Sequence, residues 1–121
     1  MFERKIYREM LHWKESFAPK YALFLKGARR VGKTTLAEKL GREAYDSYIL
    51  IRFDNVDASI RNLFVESLRD LDTFFMQLQL EYRTQLFPRK SLIILDEIQL
   101  FPPARQALKT LLEDGRYDYL E

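Results

Sequence analysis

Residues Gly27-Ala28-Arg29-Arg30-Val31-Gly32-Lys33-Thr34 match the spacing G-x-x-x-x-G-K-[ST], the pattern that most constrains what this chain can fold into. Glycines at the two ends let the backbone bend tightly and come close to a ligand, so that successive N–H groups point inward at an anion. The pattern requires a strand before it and a helix after it, and both are expected here. Tyr21-Ala22-Leu23-Phe24-Leu25 reads as a buried strand, and a helix is expected from about Lys33 to Tyr45, with Leu36 and Leu40 on one face. The positive end of that helix adds to the cradle. The backbone from Gly27 through Ala28, Arg29, Arg30, Val31 and Gly32 to Thr35 would hold phosphates. Lys33 would reach the β- and γ-phosphates in a binding and catalytic role, and the Thr34 hydroxyl would ligate magnesium. Such a loop points to a nucleoside triphosphate, ATP with Mg2+.

The rest of the chain alternates helical and extended patterns. Ile6, Met10, Trp13 and Phe17 fall at helical spacing and predict an amphipathic first helix stopped by Pro19, with His12 on its surface. Tyr48 to Phe53 predicts a second strand, closed by Asp54-Asn55. Phe64, Leu68, Leu71, Phe75, Leu78, Tyr82 and Leu86 then recur by threes and fours, which suits core packing against a sheet. Asp70 or Asp72 offers a cap that would divide this stretch into two helices. Ser91 to Leu95 reads as a third strand. Pro102-Pro103 opens a helix over about Ala104 to Asp114, Gly115 ends it, and Tyr117 to Leu120 begins a fourth strand. Strands alternating with helices predict an α/β fold, a parallel sheet with helices on both faces.

The third strand ends in Asp96-Glu97. Acids at the carboxyl ends of parallel strands sit where α/β sheets bind their ligands. Asp96 would hold the magnesium, and Glu97 could orient and polarise an attacking water as the catalytic base. Asp54, ending the second strand, either faces the same site or serves its turn.

Composition removes several other chemistries. The 121 residues include no cysteine and one histidine, so disulfides and thiolate metal sites are excluded, and His12 cannot form a metal cluster or a histidine-based triad unaided. The start carries no apolar leader and no stretch approaches a membrane span, so a cytoplasmic protein with no membrane partner is expected. Net charge is only +2, too small to imply nucleic acid. Residues 1–53 carry 12 Lys/Arg against 6 Asp/Glu, a basic half suited to a polyphosphate or simply to a solvated surface.

The segments Gly27 to Leu36 and Leu95-Asp96-Glu97-Ile98-Gln99 resemble the AAA-type P-loop ATPase domain (AAA_14-like) at the N-terminus of bacterial and archaeal ATP-binding proteins with a C-terminal DUF4143 region. The resemblance covers nearly all of residues 1–121, including Trp13 and Arg29. It implies that the fourth strand lies between the Walker A strand and the Walker B strand, that Asp96 ligates magnesium and that Glu97 is the catalytic base. It also places a polar sensor and any arginine finger beyond Glu121, so the domain is expected to be truncated at its fourth strand. Exposed sheet edges would then invite self-association, and hydrolysis by this chain alone would be weak. Arg29 could contact phosphate, and Arg30 reads as a solvated arginine. Two other functions stay open: a P-loop kinase acting on a small acceptor, and a nucleotide-binding interaction module with little hydrolysis. No guanine-reading N-K-x-D appears. No residue names a protein or DNA partner.

Overall fold

A computed structural model describes residues 2–25 and 31–121. Helix α1 (Phe2–Ser16) leads into α2 (Val31–Ala44), strand β1 (Ser47–Arg52), α3 (Ala58–Glu66), α4 (Leu71–Tyr82), β2 (Ser91–Asp96), α5 (Pro102–Asp114) and β3 (Asp118–Leu120). Short 3-10 turns, Phe53–Asn55 and Ile98–Leu100, follow β1 and β2.

The three strands pair in parallel in the order β1-β2-β3. On the far side of β3, the Leu23 N–H donates to the Tyr119 carbonyl at 2.9 Å, the Glu121 N–H to the Leu23 carbonyl at 2.7 Å, and the Leu25 N–H to the Glu121 carbonyl at 2.9 Å. The fourth predicted strand therefore lies between the first and the third, the order that the family resemblance implies. The first is less regular than expected. Only Leu23 forms a bridge, with Leu120, and Tyr21 and Phe24 are each 56% exposed rather than buried. Ala22 packs against one face of the core and Leu23 and Leu25 against the other, but only partly buried, so apolar content overstates the burial of this segment. Phe17 departs for a related reason. The helix ends at Ser16, so Phe17 leaves the helical stripe and stays 47% exposed.

Alternation along the strands divides the core in two. Ile93, Leu95 and Tyr119 face α3, α4 and α5, where Phe64, Phe74, Phe75 and Leu111 are buried. Leu92, Ile94 and Leu120 face Met10 and Trp13 of α1 and Ala37 and Leu40 of α2. Close approach is essential on this side: a Cβ on Gly41 would lie 2.6 Å from the Tyr48 ring. The Trp13 indole N–H donates to the Tyr21 carbonyl at 2.9 Å and ties α1 to the segment that enters the sheet.

Local signals explain the helix ends. Asp70 divides α3 from α4, accepting from the Thr73 N–H at 3.2 Å and its hydroxyl at 2.7 Å. Gly115 ends α5 at φ 77°, in the left-handed region that glycine enters without penalty. At the amino ends of the strands, Asp118 is buried and accepts from the Tyr45 hydroxyl at 2.5 Å and the Arg89 guanidinium at 2.6 Å.

Candidate functional site

The opposite, carboxyl end of the sheet gathers the acids and the start of α2. Asp96 is the last residue of β2, and by alternation it shares the face of Ile94 and Leu92, the face covered by α2. Lys33 and Thr34 lie in the first turn of α2, whose leading N–H groups have no partner within the helix. The Thr34 hydroxyl reaches the Asp96 carboxylate with Oγ1 3.4 Å from Oδ2, a long and weak hydrogen bond. Lys33, Thr34, Asp96 and Leu25 line one small pocket there.

Electrostatics single out Asp96. Burial raises its carboxyl above the usual aspartate range and the neighbouring Glu97 raises it further, while Arg52 and Lys33 pull it down. The parallel register sets Arg52, the last residue of β1, directly beside Asp96. Its Nε lies 3.9 Å from Asp96 Oδ2, and another guanidinium nitrogen lies 3.6 Å from Asp54 Oδ2. Asp54 sits in the turn after β1 and adds its charge to the same end of the sheet. Sequence reasoning missed Arg52. Its signal was positional: both it and Asp96 end their strands, but the register that unites them is set by packing far from either.

Glu97 follows Asp96 at φ 56°, ψ 43°, a left-handed conformation uncommon for a residue with a Cβ. This turns the chain sharply out of β2 into the 98–100 turn. The Gln99 side-chain amide donates to the Glu97 carboxylate at 2.5 Å. Thr35 and Gly32 are exposed at the start of α2, and a Cβ on Gly32 would meet nothing within 4 Å. Gly27, Ala28, Arg29 and Arg30 lie outside the described residues, as does the side chain of Val31.

The donor set is oxygen only, a hydroxyl and a carboxylate, which suits a hard cation such as Mg2+. Among the described residues no three His, Cys, Asp or Glu side chains form a metal cage. Magnesium is usually held by one or two side chains with waters and substrate phosphates. No described helix is long and apolar enough to cross a membrane.

No curated protein and no solved structure matches the chain. A family model described as an AAA domain matches residues 19–120, from the turn after α1 through β3. Nucleotide binding of the ATPase type is the general property this match brings. The chain belongs to the AAA domain family.

Proposed function

We propose that this chain binds ATP with magnesium through the Gly27–Thr35 segment and Asp96, and that Glu97 activates water for hydrolysis. The observation that carries the reading is the approach of Thr34 to Asp96. It joins the start of a helix to the end of a buried strand, with Lys33 lining the same pocket. A hydroxyl and a carboxylate set this close, beside a lysine and helix N–H groups that have no partner within the helix, are arranged for a phosphate chain that carries its own cation.

Bound magnesium would neutralise charge on the β- and γ-phosphate oxygens. The chain's own residues divide the remaining work. Lys33 supplies a cation to the β- and γ-phosphates, and Thr34 and Asp96 supply the oxygens that hold the metal. The leading N–H groups of α2 accept negative charge without the cost of reorganising a solvent shell. Glu97 takes the proton from the attacking water, and its left-handed backbone turns the chain out of the line of β2 at that residue. Gln99 orients that carboxylate by its amide.

Two substitutions test the assignment. Lys33→Ala removes a charge-assisted contact and should weaken ATP binding about ten- to a hundredfold by calorimetry. Glu97→Gln keeps the shape but accepts no proton. ATP should still bind, while phosphate release by the intact protein falls by roughly 10². Unchanged affinity in the first variant, or normal turnover with poor binding in the second, would overturn the roles given to these residues.

A further inference from the structure

Arg52 has no part in the reading above, yet it is aimed at the same atom. Its Nε lies 3.9 Å from Asp96 Oδ2, the same oxygen that the Thr34 hydroxyl approaches at 3.4 Å. Resting on the proposed ATP–magnesium site, we infer that Arg52 is a placeholder cation. It occupies the side of the Asp96 carboxylate that the metal takes and withdraws when nucleotide-bound magnesium arrives.

Three features support this over an ordinary surface ion pair, which would be worth little. The two partners differ greatly in exposure: the Asp96 side chain is 11% exposed and the Arg52 side chain 59%. A carboxylate so enclosed needs a nearby positive charge when no metal is present, and the exposed arginine is free to supply it and to leave. The separation is also long for a guanidinium–carboxylate pair, so the contact is loose rather than a locked fork. Finally, Arg52 has somewhere to go. Its guanidinium already lies 3.6 Å from Asp54 Oδ2. An open pocket of about 250 Å³ lined by Arg52, Asp57, Glu81 and Tyr82 adjoins it, with two more carboxylates on its walls. Withdrawal exchanges one counter-charge for others, so the arginine is never stranded.

Arg52 is thus a positioning residue that sets how much magnesium the site demands. The experiment follows binding of a fluorescent, non-hydrolysable ATP analogue while magnesium is titrated, in the parent chain and in Arg52→Gln and Arg52→Lys. Removing a competing charge at this range should lower the half-saturating magnesium about three- to tenfold in Arg52→Gln. Arg52→Lys should stay near the parent, and binding measured with a chelator in place of magnesium should change less than about twofold. Because the side chain is mostly exposed, thermal unfolding of both variants should match the parent. An unchanged magnesium requirement overturns the inference alone. A raised requirement, or weaker metal-free binding, overturns it in favour of a direct phosphate contact. If the parent binds no nucleotide at all, the proposed function fails first and this inference with it.

Discussion

Two aspartates mark opposite ends of the same sheet, and they are treated in opposite ways. Asp118 opens β3 with its carboxylate saturated: the Tyr45 hydroxyl donates to one oxygen at 2.5 Å and Arg89 to the other at 2.6 Å. Asp96 closes β2 with its nearest donors among the described residues at 3.4 and 3.9 Å, while burial and Glu97 work against its charge. A buried carboxylate with short, complete bonds serves the fold. One enclosed but left under-bonded has capacity for a ligand, and tertiary structure must tolerate its cost. The difference lies in partner geometry, because the residue type and the sheet are the same.

Substitution at each end breaks or sharpens this contrast. Asp118→Ala should lose about 3 kcal/mol in urea unfolding, since the Tyr45 hydroxyl and part of the Arg89 charge lose their shared acceptor. Arg89 keeps substantial access to water, which holds the loss to the lower end of the range for broken buried pairs. Asp96→Asn should move the other way, a gain on the order of 0.5–1 kcal/mol at neutral pH, as sites relieved of functional strain often give. The sign follows from the raised carboxyl. The folded chain keeps the Asp96 proton to higher pH than the unfolded chain does, so stability is lost as pH rises through that raised range. Asparagine removes that loss, and with it the magnesium dependence of nucleotide binding. Equal destabilisation by both variants would break the comparison.

Two tyrosines carry the same contrast at smaller scale. Tyr45 spends its hydroxyl on Asp118, and burial together with that bond pushes its phenol far above the usual tyrosine range. Tyr119, fully buried next to Asp118 in β3, has no partner for its hydroxyl among the described residues. Tyr45→Phe should therefore cost about 1–1.5 kcal/mol, and Tyr119→Phe should be neutral or gain up to about 1 kcal/mol. A loss in the second variant as large as in the first would show that water or a shifted side chain satisfies Tyr119.

The saturated end was hardly legible in the sequence, whereas the segments that bring Lys33 and Thr34 beside Asp96 were. Lys33, Thr34 and Asp96 stand out because each belongs to a local pattern: a segment that opens a helix, and an acid that ends an apolar run. The Asp70 cap and Gly115 were legible for the same reason, each acting within a few residues of itself. Tyr45, Arg89 and Asp118 are separated along the chain and meet only because β3 pairs beside β2 with Leu92 opposite Asp118. Arg52 escaped notice in the same way. Phe17 and Phe24 were misjudged because apolar character does not say which residues lie at a margin of the packed layers.

The smallest expected effect concerns Glu97, whose backbone is the other cost at the ligand end. Its φ of 56° lies where a Cβ crowds the following carbonyl, at about 1–2 kcal/mol. Gly115 adopts a similar turn between α5 and β3 with no such cost, whereas Arg89, ahead of β2 at φ 64°, carries the same left-handed strain as Glu97. Glu97→Gly should remove the crowding but give the unfolded chain more freedom, which returns about 0.4–1 kcal/mol. The net is a gain of roughly 0.5 kcal/mol or slightly more, read from paired urea curves with equal slopes. Glu97→Gln keeps the Cβ and should leave stability within about 0.5 kcal/mol of the parent. Hydrolysis should fall in both variants. If Glu97→Gly is instead destabilised as much as Asp118→Ala, the left-handed turn is held by contacts of the Glu97 side chain. Its strain would then be no part of what the ligand end costs the fold.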